Sequence, residues 1–228
     1  MNSLKKTARG AGILYIIMVV FMIFSGIVVK TKLYVPDDAV ATVSNILASE
    51  WLFRLGFVSD LVGLTLQLFL VHVLYELFKS VEKGQARMMV ILIVAGVSVA
   101  FMNKLIQYAP ILLLSSAGHF SAFNPAQLQT LSMVFLDMYE HGVIMAEIFW
   151  GLWLIPLGLL VYKSGFVPKV LGVLLIVGCF GHLISFLSTF LFPDYSAILI
   201  PISETVMVGE LPIFLWLLIK GVKDQKPA

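Results

Sequence analysis

From Gly10 to Val29 the chain reads GAGILYIIMVVFMIFSGIVV, twenty residues with no charge. A hydrocarbon core of about 30 Å is crossed by roughly 20 apolar residues in a helix rising about 1.5 Å per residue. This stretch therefore reads as a transmembrane helix. Lys5, Lys6 and Arg9 precede it, which is also the order found in a secretory signal. The run is longer than a signal core, and no small-x-small cleavage pattern follows. It reads as a retained first span.

The rest of the composition agrees. Of 228 residues, 60% are hydrophobic and 12% are charged, against roughly 45–50% and about 25% in soluble domains. So few charges could not coat a soluble globule of this size. That excludes a soluble enzyme and a disordered chain. A formal net charge of +2 excludes a nucleic-acid footprint. Cys179 is the only cysteine, which excludes an intrachain disulfide and a cysteine-cluster metal site.

Five more spans follow the first: about 51–78, 88–115, 131–162, 167–192 and 197–219. Spans two to four exceed the needed length, so tilt or projecting ends are expected. All must be helical, because an open sheet edge is not tolerated in lipid. The fold class is all-α: a polytopic membrane protein, one membrane domain over residues 1–228, with six helices as three consecutive hairpins. Orientation follows from the basic residues near span ends. Lys5, Lys6, Arg9, Lys79, Lys83, Arg87, Lys163, Lys169, Lys220, Lys223 and Lys226 fall on one side, against Lys30 and Lys32 on the other. Eleven against two places both termini in the cytoplasm.

The outer loops hold Pro36-Asp37-Asp38, Asn124-Pro125 and Pro193-Asp194. Asp37 and Asp38 suit a helix N-cap, and Asn124 with Pro125 suits a cap followed by proline at the first helical position. A short helix leading into the next span is expected after each proline. The three outer prolines, with Glu50, Glu140 and Glu204 after them, suggest a threefold hairpin repeat; any six-helix chain would also contain three hairpins. Such copies share one orientation, unlike the inverted repeats of transporters.

Ionisable groups are costly in lipid and usually face a bundle interior or a watery cavity. Span two carries Arg54, Asp60, Gln67 and His72; span three carries Asn103, Lys104 and Gln107. Span four carries Asp137, Glu140, His141 and Glu147; span five carries His182; span six carries Glu204 and Glu210. Most fall in the outer halves of their spans, with His72, Tyr75 and Glu76 near the cytoplasmic face. An outward-facing polar cavity is expected. Asp137, Glu140, His141 and Glu147 form one helical stripe, with Pro156 positioned to interrupt the helix below it. Three readings of the stripe stay open: a proton or metal cluster, pairing with Arg54 and Lys104, or carboxylates in water above the membrane.

If Asp60, Asp137, Glu140, Glu147, Glu204 and Glu210 all face the cavity, they outnumber Arg54 and Lys104 by four. Buried carboxylates must then be neutralised by protons, cations or water. A metal has weak candidates in His141, His182 and Glu147, without a His-Glu-x-x-His motif, and no cofactor is expected. Ser115 and Ser116 near His119, and Ser185 near His182, are weak nucleophile pairs, since no Gly-x-Ser-x-Gly occurs. Ala146, Gly151, Gly158, Gly172, Gly178 and Gly181 read as close-approach positions between spans four and five. Gly165 and Pro168 read as the turn joining them.

Five stretches together carry a family likeness: Thr7–Tyr15, Pro36–Ala39, Glu50–Arg54, Lys163–Leu174 and Trp216–Val222. They resemble the bacterial membrane family catalogued as domain of unknown function four-three-eight-six, over nearly the whole chain. The resemblance implies a six-helix protein of the bacterial inner membrane. It implies no activity, cofactor or site residue.

The function expected from the residues is binding or translocation of a proton, a cation or a small cationic solute. Asp60, Glu147 and Glu210 would be the deep charge carriers, and His141 and His182 proton partners. The alternatives are a metal-assisted hydrolase of a lipid-like substrate and a non-catalytic membrane partner. Membrane lipids are expected partners, a homodimer is a candidate assembly, and nucleic acid is not expected.

Overall fold

A computed structural model describes residues 3–36, 38–115 and 122–223. Asp37, Ser116, His119 and Lys226 lie outside the described residues. Among the described residues the structure is helical throughout, without strands. Six helices are long and apolar enough to cross a membrane. They are α1 (Leu4–Leu33), α3 (Glu50–Phe78), α4 (Lys83–Leu114), α5 (Pro125–Ser164), α6 (Lys169–Phe190) and α7 (Pro193–Ile219). The short α2 (Ala39–Ala48) precedes α3.

The helices start and stop where local chemistry dictates. Helix α1 outruns the expected 10–29 because Lys30-Thr31-Lys32 continue it to Leu33. Within it, Phe24–Val29 form a π-helical turn, which accommodates one extra residue in a helix. Asp38 caps α2 by accepting from the Ala41 amide at 2.8 Å. Asn124 and Gln127 form a reciprocal capping box, each side chain accepting from the other's amide at 2.9 Å. That box starts α5 at Pro125 rather than 131. The short helix expected after each proline stands apart as α2 after Pro36, is a 3-10 turn (Pro193–Tyr195) at the start of α7 after Pro193, and is continuous with the span after Pro125. Pro156 has no amide hydrogen to donate to Leu152, and α5 is interrupted at Trp153. Pro168 delays α6 to Lys169, so it is shorter than the expected 167–192.

Helix α5 ends at Gly165, with φ of +71°. A Cβ there would meet nothing within 4 Å, so only the backbone conformation resists a side chain. Gly165→Ala is expected to cost about 1–2 kcal/mol, read as a lowered thermal midpoint of the detergent-purified protein. An unchanged midpoint would contradict the left-handed cap.

The chain forms two compact units. Unit 1 comprises residues 1–17, 66–98 and 144–228. Its interior holds the fully buried Leu74, Leu77, Met89, Ile93, Leu154 and Phe214. Tyr15 stacks on Phe214 with ring centroids 3.7 Å apart. Glycines let its helices meet at backbone distance: a Cβ on Gly12 would lie 2.6 Å from the Leu218 amide nitrogen. Unit 2 comprises residues 18–65 and 99–143. Its core is Val29, Leu33, Ile46, Phe53, Ile111 and Leu136. Many large apolar side chains stay exposed, among them Val20, Phe69, Met102, Leu105 and Phe180. Such a surface is suited to lipid contact and would be an aggregation liability in water.

Candidate functional site

Unit 2 contains a cavity of about 180 Å³ whose wall includes Lys30, Tyr34, Asp60, Gln107, Tyr139 and Glu140. Gly56 lets α3 pack closely on α1 beside the cavity, since a Cβ there would come within 2.9 Å of Val29. Lys104 on α4 is a buried lysine that reaches this wall. Its ammonium donates to Asp60 Oδ2 at 2.5 Å, to the Tyr139 hydroxyl at 2.5 Å and to Gln107 Oε1 at 3.0 Å. An ammonium has three hydrogens, and all three are used. The side chains of Lys104 and Asp60 are 7% and 14% exposed, so this ion pair is screened little by solvent.

The neighbouring positions hold that hub in place. The Lys104 ammonium also lies over the Tyr139 ring, 4.5 Å from its centroid. Asn103 donates to the Tyr139 backbone carbonyl at 2.8 Å, anchoring α4 to α5 next to the ion pair. Gly142 makes this possible: a Cβ there would fall 2.1 Å from Asn103 Oδ1. At the more open end of the cavity, Lys30 pairs with Glu140 at 2.8 Å, with both side chains over 40% exposed. Burial and the Glu140 charge push the Tyr34 hydroxyl well above the usual phenol range, so it stays protonated at neutral pH. The cavity wall thus holds two acids, Asp60 and Glu140, and one lysine, Lys30, while Lys104 pairs with the wall's Asp60.

The expected site residues are distributed as follows. Asp60, Lys104 and Glu140 belong to this cavity or its immediate support. Arg54 pairs with Glu50 at 2.5 Å and also donates to the Tyr108 hydroxyl. Asp137 and His141 lie on an exposed face of α5, and His141 Nδ1 is 2.8 Å from the Asp137 carbonyl oxygen. In unit 1, Glu204 is exposed, while Glu147 and Glu210 are partly buried. Glu210 accepts from the Tyr15 hydroxyl at 3.4 Å. His182 is buried against Gly151, with neither ring nitrogen hydrogen-bonded to a described residue. Glu147 Oε2 and Trp150 Nε1 are buried in the same state. Among the described residues, no three His, Cys, Asp or Glu side chains gather as a metal set.

Sequence reasoning missed three contributors. Lys30 reads as an outer-loop charge, yet α1 continues through it. Tyr34 reads as an interfacial or packing aromatic and Tyr139 carries no reading of its own, yet both line the cavity. The usable signal was Tyr139 directly before Glu140, a hydroxyl and a carboxylate on adjacent positions of a lipid-length helix.

A family model described as Domain of unknown function (DUF4386) matches residues 10–221. The chain belongs to this family. DUF4386 thus extends from the start of the first apolar run to the turn after α7. An uncharacterized protein of Archaeoglobus fulgidus is 41% identical over 76 residues, covering 33% of this chain and 44% of that relative. The chain thus spans less than half the length of that curated relative. No solved structure matches the chain.

Proposed function

We propose that this protein is a multi-pass protein of the bacterial inner membrane, both termini cytoplasmic, that binds a proton, cation or small cationic solute in the unit 2 cavity. The orientation is supported by the eleven-to-two division of basic residues. The observation that carries the binding reading is Asp60, a cavity-wall carboxylate whose ion-pair partner is a buried lysine.

A cation reaching Asp60 competes with the Lys104 ammonium for one carboxylate. Two positive charges beside one negative charge disfavour each other. Lysine, unlike arginine, can lose its proton in a protein. Lys104 can therefore release a proton to the cavity as the cation takes its place, leaving the charge of the site unchanged. Gln107 and Tyr139 remain as neutral neighbours for the amine. Binding is thereby coupled to proton release, the elementary step of an exchanger.

The test adds sodium, potassium or methylammonium chloride to the purified protein in weakly buffered detergent with a pH indicator. The wild type should release close to one proton per chain for at least one of these cations. Lys104→Gln should bind that cation without release, and Asp60→Asn should do neither. Absence of release from the wild type with all three cations would sink this reading.

One observation favours a structural reading instead. Lys104 already has all three of its hydrogens bonded within the protein, as a permanent strut between helices would. The double replacement in the Discussion separates the two.

A further inference from the structure

We propose that the groove between α3 and α4 in unit 1 is a binding site for one anionic phospholipid, its phosphate held by Arg87 and His72 and one acyl chain along the groove. The groove has a volume of about 620 Å³, within the roughly 300–1,000 Å³ typical of small-molecule sites. Leu68, Val71, Val90, Ile91 and Val94 form its apolar length. His72, Tyr75 and Arg87 supply its polar part.

Position along the helices separates the two parts. Arg87 is four residues into α4, and His72 is six residues before the end of α3. At about 1.5 Å per residue both lie within roughly 10 Å of the helix ends, at headgroup to glycerol depth. Val94 and Leu68 continue inward from there. The order is charge at the membrane edge and hydrocarbon below it, the same order as in a phospholipid.

The charges call for an anion. Arg87 and His72 are both exposed, and among the described residues neither side chain has an ion pair or hydrogen bond. The two acids at this end are already taken: Glu76 pairs with Lys79 at 2.6 Å and Glu82 with Lys163 at 2.6 Å. Lys79, Lys83, Arg87, Lys163 and Lys169 against Glu76 and Glu82 give five minus two, a local excess of +3. Basic side chains at this depth attract anionic headgroups, by about 1 kcal/mol each. A lipid phosphate supplies such an anion, with the bidentate geometry that arginine favours.

Native mass spectrometry of the full chain tests this, with phosphatidylglycerol and phosphatidylcholine added separately to delipidated protein. One phosphatidylglycerol should be retained, and retained more tightly than phosphatidylcholine. Arg87→Gln should weaken phosphatidylglycerol binding roughly fivefold, about one interfacial charge. His72→Gln should weaken it further. Lys79→Gln, at the same membrane edge but bound to Glu76, should change it little. Ile91→Trp, which fills the groove, should reduce retention of both lipids, and inorganic phosphate should not compete. Equal retention of both lipids, or an Arg87→Gln variant indistinguishable from wild type, overturns the proposal. So does a homodimer that Ile91→Trp dissociates while phosphatidylglycerol retention is unchanged, since the groove would then seat a second copy.

Discussion

Replacing Lys104 with methionine is expected to destabilise the protein by about 3–5 kcal/mol, the usual cost of leaving one partner of a buried ion pair alone. The substitution removes the ammonium while keeping most of the side-chain volume. Asp60 then faces α4 without a counter-charge, and the Gln107 oxygen and Tyr139 hydroxyl lose their donor. Adding Asp60→Leu to Lys104→Met should recover most of the loss, because a well-packed apolar pair is often as stable as the ion pair it replaces. Thermal unfolding in detergent measures both. The double variant also separates the two readings of the site. If it is stable and still shows cation-linked proton release, Asp60 is not the acceptor. If it is stable and silent while the wild type releases a proton, the pair serves function rather than folding.

The second large effect is expected where α5 meets α6 in unit 1. A Cβ on Gly158 would lie 2.6 Å from the Gly172 carbonyl oxygen, and one on Gly172 would lie 2.5 Å from the Gly158 carbonyl oxygen. These obstructing atoms are backbone, which cannot rotate aside as a side chain can. The helices would have to separate. Overpacking of this kind typically costs about 1–3 kcal/mol, occasionally more, and association of helices in lipid depends on close van der Waals approach. Gly172→Val should therefore lower the unfolding midpoint more than Gly165→Ala does, although both remove a glycine a few residues apart. Equal effects at the two positions would mean that the α5–α6 contact contributes little.

Those glycines are legible in the amino-acid sequence. Small residues at helical spacing in two adjacent apolar spans have few other uses, and Gly165 with Pro168 marks the turn. The six spans are legible for the same reason: composition and length decide them almost alone. Boundaries shift where one local interaction extends or cuts a helix, as the Asn124–Gln127 box does at α5. The polar partners are much less legible. Which side chains meet depends on how far each helix is rotated about its axis, and the π-turn at Phe24–Val29 changes that rotation just before Lys30. Lys30 therefore reaches Glu140, a partner 110 positions away. Tyr15 and Glu210 are 195 positions apart, and no periodicity links them. A tally of acids against bases over whole spans treats all of them as facing one cavity. In unit 2, the two acids of the cavity wall, Asp60 and Glu140, are each paired with one lysine.

The contact between Gly12 and Leu218 has a consequence in time. The two residues are 206 positions apart by subtraction, and the Cβ that Gly12 lacks would collide with the backbone of Leu218. A ribosome adding about 5–20 residues per second needs roughly 10–40 s to deliver the second after the first. Throughout that interval α1 is already made and its final neighbour is not. The bilayer must hold the bare glycine face of α1 until α7 is inserted. Assembly of unit 1 is therefore completed only after the last helix leaves the ribosome.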